Sequence, residues 1–278
     1  MQNPSRLGPR LVSWAARFGL ALCVAGCSPA PPPPERTDAS VAQARGHELP
    51  TTSSPPLPPI EGEWLVRLEG DVGIVTVPIG AREKRPVIVS LHGAGSLAEW
   101  GCGDWMGPTG GYAFVVCPRT ATERPGLPSS WGSAEEAAKR AETTLARARE
   151  RYGAWMSDAP PLLVGFSQGA EMAVVVAHAS KLPIGALFVH EGGYRQQSVA
   201  LGRLLAGPIR ARATCSTWGC GASLPRRLGP HARTADYGPR GHSVGVAGPE
   251  ITAELAKLVE GLPEWAGLPT SRAREPSE

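Results

Sequence analysis

The pentapeptide Gly165-Phe166-Ser167-Gln168-Gly169 constrains the fold of this chain more than any other segment. The apolar run Pro161-Leu162-Leu163-Val164 precedes it and reads as a short buried strand. Residues 170–177 follow it, and their apolar composition reads as a buried helix. The serine therefore sits on a sharp strand-to-helix turn. The flanking glycines have a steric reason, because strand and helix approach closely there and a Cβ would obstruct them. An inert glycine junction would share the five residues. The strand before and the helix after favour a turn that presents the serine for chemistry.

The rest of the chain alternates in the same way. Strands are predicted at 64–68 and 73–77, joined by a Gly/Asp turn, and then at 86–91, 112–116, 161–164, 184–189, 210–214 and 232–237. Helices are predicted at 97–106, from Ser133 to Tyr152, at 170–177, at 199–205 and at 249–258. The helix after Ser133 opens on a capping pattern, a serine followed three residues on by Glu136. Residues 222–230 match no pattern. Strands alternating with helices imply an α/β fold with a parallel sheet covered on both faces. Ligands in such sheets bind at the carboxyl ends of the strands. His92-Gly93, Ser167, Glu191 and His242 all fall at predicted strand exits, a coincidence that depends on no single motif.

The two ends of the chain read differently. Residues 1–26 carry Arg6, Arg10 and Arg17 and then an apolar run at 18–26, too short to span a bilayer. This is the pattern of an export signal. The ending Val24-Ala25-Gly26-Cys27 resembles the bacterial lipoprotein cleavage box, which implies cleavage before Cys27 and lipidation of its thiol. An ordinary signal with an incidental cysteine is the alternative. Residues 27–60 are proline-rich, with four successive prolines at 31–34, and read as an extended tether. The folded domain is expected at 61–266, with a polar tail at 267–278.

Removing the three arginines of the signal from the 28 Lys and Arg leaves 25, equal to the 25 Asp and Glu. A near-neutral chain gives no reason to expect a nucleic-acid partner. Of the six cysteines, Cys102, Cys117, Cys215 and Cys220 fall in the folded part, an even number that suits disulfides in an oxidising compartment. No C-x-x-C pair or zinc-type spacing occurs, so neither a metal nor another cofactor is expected.

Taken together, Leu91-His92-Gly93-Ala94-Gly95, Gly165-Phe166-Ser167-Gln168-Gly169 and Gly241-His242-Ser243 resemble the α/β-hydrolase superfamily, most of all its phospholipase/carboxylesterase and dienelactone-hydrolase-like branch. The resemblance spans most of 61–260. It implies a mostly parallel sheet of about eight strands, helices on both faces and a small-molecule ester substrate. The short stretch between Glu191 and the next strand leaves no room for a large cap domain. Ser167 is the expected nucleophile and His242 its base. The backbone N–H groups of Gln168 and Ala94 are the expected oxyanion donors.

The acid departs from the family pattern. The loop after the strand at 210–214 holds no carboxylate where relatives carry an Asp. Glu191 is the substitute, at a strand exit that some relatives use. Asp236, Glu171 or no acid at all remain alternatives. In such a fold Cys102 and Cys117 follow neighbouring strands and can pair. Cys215 and Cys220 would then close a tight loop, although the sequence leaves other pairings open. Trp100, Trp105 and Trp131 are expected at the same sheet edge, lining an apolar pocket. A peptidase or amidase on the same scaffold, and a degenerate surface-binding module, are the competing functions.

Overall fold

Two long apolar faces have to be covered, and the chain covers them with helices on either side of one sheet. The computed structural model describes residues 55–124, 126–192, 209–215, 231–237 and 248–269. Eight strands form the sheet: β1 (Leu65–Arg67), β2 (Gly73–Thr76), β3 (Val87–Leu91), β4 (Phe114–Pro118), β5 (Leu162–Phe166), β6 (Ala186–His190), β7 (Arg210–Cys215) and β8 (Ala232–Asp236). Their spatial order is β1-β2-β4-β3-β5-β6-β7-β8. β2 runs antiparallel to β1 and β4, while every pair from β4 through β8 is parallel.

The strand sequences explain the double-sided burial. β3 (Val-Ile-Val-Ser-Leu) and β4 (Phe-Val-Val-Cys-Pro) are buried at every residue, as expected of strands covered on both faces. The hydroxyl of Ser90, the polar interruption in β3, donates to the Gly101 carbonyl at 3.1 Å. Among the described residues five helices complete the layers: α1 (Ala98–Gly103), α2 (Met106–Thr109), α3 (Ala134–Tyr152), α4 (Gln168–Ala179) and α5 (Pro249–Val259). One core joins α3 and α4 to the sheet. The other lies on the opposite face with α1, α2 and α5.

α3 starts where its cap places it. The Ser133 hydroxyl accepts from the Glu136 N–H at 3.1 Å. Ala137, Ala141, Thr144 and Ala148 recur on its buried face, and their small side chains let the helix lie close to the sheet.

Several details differ from the sequence expectation. The helix expected at 97–106 is two short helices, because the chain turns at Asp104-Trp105. The Gly/Asp turn between β1 and β2 is where it was expected, as a single 3-10 turn with Gly70 at φ +73°. Packing reaches slightly past the expected domain limits. The Ile60 N–H donates to Ala81 at 3.2 Å, and Ile60 and Leu268 are both buried. The expected helix at 199–205 and the ambiguous 222–230 lie outside the described residues, as do residues 1–54 with the expected signal and most of the tether.

Cys102 of α1 and Cys117 of β4 form a disulfide with a Cα–Cα distance of 5.7 Å. It ties the first helix to the sheet behind β3. Cys215 ends β7, and Cys220 lies outside the described residues.

Candidate active site

Three adjacent strands deliver the site. β3, β5 and β6 lie side by side in parallel, with Leu91 opposite Gly165 and Phe166 opposite His190. The residues that leave them, His92-Gly93-Ala94, Ser167 and Glu191, therefore emerge together at one edge.

Ser167 is the single residue between β5 and α4, and it holds φ +53° and ψ −121°. A non-glycine residue at positive φ costs on the order of 1–3 kcal/mol and persists only where its surroundings over-determine it. Here they do. The Ser167 N–H donates to the His190 carbonyl at 2.9 Å, and its own carbonyl accepts from Ala170 at 3.0 Å and Glu171 at 3.3 Å. Three glycines make the turn sterically passable. A Cβ at Gly165 would overlap the Gly169 carbonyl, one at Gly169 the Leu91 carbonyl, and one at Gly192 the Ser167 carbonyl. The serine side chain is thus held at the half-buried rim, at the N-terminus of a helix of 12 residues. Partial positive charge from unpaired N–H groups gathers there.

Gln168 is the first residue of α4, so its N–H has no acceptor within the helix. Ala94 lies in the exposed loop after β3. Its neighbour Gly93 faces the elbow, where a Cβ would stand 3.3 Å from the Ser167 Cβ. Gln168 and Ala94 thus adjoin the serine turn from two different elements, the first as the next residue and the second one residue past Gly93.

A hydrogen-bonded brace that the sequence does not reveal joins those elements. The Gln168 side chain clamps the Trp131 backbone. It accepts from the Trp131 N–H at 3.0 Å and donates to the Trp131 carbonyl at 3.3 Å. The Trp131 indole N–H donates to the His92 carbonyl at 2.8 Å, and its ring packs 5.0 Å from the His92 ring. The loop of Ala94 and the helix of Gln168 are therefore cross-linked through one tryptophan.

His92 is fixed in turn. Its Nδ1 donates to the Gly93 carbonyl at 2.8 Å, and its Nε2 lies 3.1 Å from Glu123 Oε2. The Glu123 carboxylate also accepts from Ala98, Thr120 and buried Arg119. Burial alone would raise the Glu123 carboxyl, but the bonds from His92, Ala98 and Thr120 outweigh it and hold the group below the ordinary glutamate range. Arg119 continues the chain of charge to Glu99 at 2.5 Å. Trp131 is thus part of this buried brace, not the open pocket wall expected of it. Trp100 and Trp105 do line a cavity, together with Phe166.

Glu191 directly follows β6 and is buried, at φ +56°. Both of its neighbours touch Ser167: His190 through its carbonyl, and Gly192 through its close approach. Its own N–H donates to the Thr214 carbonyl at 3.0 Å. Asp236 instead ends β8 at the far edge of the sheet and is exposed. Glu171 is half-buried in the first turn of α4. His242 lies outside the described residues. The structure thus gathers Ser167, Gln168, Ala94 and Glu191, and sets Asp236 apart. Among the described residues, no group of three His, Cys, Asp or Glu side chains could hold a metal ion.

No family profile and no curated protein matches the chain. Among solved structures the chain is similar to esterase PE8, with 21% identity over 69% of this chain and 100% of that one, at a TM-score of 0.48. It is also similar to TT1662 from Thermus thermophilus, with 17% identity over 70% and 97% of the two chains and a TM-score of 0.48. A Bacillus cereus carboxylesterase shows 16% identity over 63% and 89%, with a TM-score of 0.44. Likenesses this distant carry nothing about activity. The strand order, with a serine at the turn from β5 into α4, is the arrangement of the α/β-hydrolase fold.

Proposed function

We propose that the chain is a serine hydrolase that cleaves small carboxylic esters through an acyl-enzyme on Ser167. One observation carries this reading: Ser167 holds φ +53° at a helix N-terminus, with every neighbour built to keep it there. Ser167 Oγ attacks the ester carbonyl carbon while His242 takes its proton. The carbonyl oxygen becomes an oxyanion and accepts from the N–H groups of Gln168 and Ala94, each such donor being worth about 3–4 kcal/mol. Collapse of the intermediate expels the alcohol, which leaves with the proton from His242. Water, activated by the same histidine, then releases the acid and frees the serine. Glu191 orients His242 and stabilises the imidazolium. The short connection from Glu191 to β7 supports an open site and small or exposed acyl groups.

Ser167→Ala should abolish turnover of a short-chain p-nitrophenyl ester while leaving the fold intact by circular dichroism. Undiminished turnover in the purified variant would sink the assignment.

We also propose that Cys27 is lipidated and anchors the domain to the bacterial cell envelope, in the periplasm or at the outer membrane. Val24-Ala25-Gly26-Cys27 and the proline-rich stretch after it support this. No helix among the described residues is long and apolar enough to cross a membrane. Cys27→Ala should move the expressed protein from the membrane to the soluble fraction. Full retention in the membrane would count against the anchor.

A further inference from the structure

A cavity of about 210 Å³ opens beside the serine turn, walled by Gly93, Ser96, Trp100, Asp104, Trp105 and Phe166. Phe166 immediately precedes Ser167, and Gly93 borders the Ser167 Cβ, so the cavity abuts the reacting centre. Trp100, Trp105 and Phe166 give it aromatic walls. Trp100 stands 57% exposed at the rim, while Trp105 is almost wholly buried and supports the floor against Phe188.

Asp104 is the lone carboxylate in this lining. It is half-buried at the end of α1, and no hydrogen bond or ion pair reaches its side chain among the described residues. Two buried acids among the described residues are matched. Glu123 takes Arg119, His92 and two backbone N–H groups, and Glu254 takes Arg212 and Lys257. The His92 ring, also in the cavity wall, is committed through Nδ1 to Gly93 and through Nε2 to Glu123. Burial holds the Asp104 carboxyl above the ordinary aspartate range, the signature of a group that lacks compensation.

A half-buried carboxylate without a partner among the described residues, set beside aromatic faces, suits one kind of ligand. An anion would meet like charge, and a neutral apolar group would leave the carboxylate uncompensated. An alkylammonium supplies the missing charge and is attracted to the negative faces of the rings. We propose that this cavity takes the ammonium head of a small cationic ester, with Asp104 as counter-charge and Trp100 and Phe166 as walls. The ester part rests on the serine-hydrolase reading. The cation site does not.

The test uses the full chain carrying Ser167→Ala, so that nothing turns over. Binding of choline and of neopentylcarbinol, its uncharged carbon isostere, is followed by calorimetry. Choline should bind at least about tenfold more tightly, within the range of a desolvated cation–aromatic and charge contact. Asp104→Asn should erase that preference. Trp100→Ala, at an exposed rim position, should weaken choline with no change in thermal melting. Equal binding of the two ligands, or a preference that survives Asp104→Asn, would overturn the site. A kinetic arm then compares acetylcholine with neopentylcarbinyl acetate on the unmodified enzyme. A higher kcat/KM for the charged ester places the head group in the reaction, and equal values overturn that placement. If neither ester is cleaved while choline still binds selectively, the hydrolase reading fails and the cation site stands.

Discussion

At the scale of single residues, the site is defined by two positions where a side chain sits at positive φ, Ser167 and Glu191. Both follow parallel strands that lie side by side, and both are held by backbone bonds from the next strand over. A buried carboxylate next to the nucleophile turn can fix the tautomer of a histidine base. Glu191→Gln should therefore keep the fold and lower kcat by roughly 10²–10⁴-fold, while Asp236→Asn and Glu171→Gln cost far less. Steady-state kinetics on the three variants check this. A dead Asp236→Asn beside an active Glu191→Gln would move the acid to β8. The sequence singled out Glu191 because it lay at a strand exit. Its torsion and its two Ser167-contacting neighbours could not be read from composition, since they depend on β5–β6 register.

At the scale of elements, the proposed oxyanion donors belong to a loop and a helix that must keep their spacing to a fraction of an ångström. Trp131 sets that spacing, bonded to Gln168 on one side and His92 on the other. Trp131→Phe removes the indole donor and keeps most of the packing. It should lower kcat roughly 10- to 100-fold with little change in KM, since misplaced donors chiefly weaken transition-state binding. A variant that loses only thermal stability, with kcat intact, would show that the tryptophan is merely structural. The elements were legible because their patterns are local: alternating apolar runs, a capped helix at Ser133, glycines around a turn. The brace was not, because His92, Glu123, Trp131 and Gln168 are far apart in sequence. His92, Trp131 and Gln168 each carry a sequence expectation of their own, but nothing local says that their bonds join them. Arg119 and Glu123, which no sequence pattern singles out, form a buried ion pair at 2.8 Å.

At the scale of the whole molecule, the fold packs helices on both faces of the sheet and fastens the first of them covalently. The Cys102–Cys117 bridge closes a loop with a sequence separation of 15. In the chain-entropy view such a loop contributes about 3 kcal/mol by restricting the unfolded state. For a domain of this size that corresponds to a melting temperature roughly 6–12 °C higher. The Cys102→Ser, Cys117→Ser double variant should melt lower by such an interval in a thermal scan. An unchanged melting temperature would mean that the bridge does not form in the protein as made. A structural disulfide also fits an exported domain, which links this measurement to the proposed anchor.

The central claim is that Ser167 is the nucleophile, and one measurement addresses it without any assumption about substrate. The purified protein is treated with a fluorophosphonate, digested, and mapped by mass spectrometry. A phosphonyl adduct on the peptide containing Gly165-Phe166-Ser167-Gln168-Gly169, assigned to Ser167 and absent after heat denaturation, is the predicted result. An unmodified Ser167 in folded protein, or an adduct on a different serine, would contradict it.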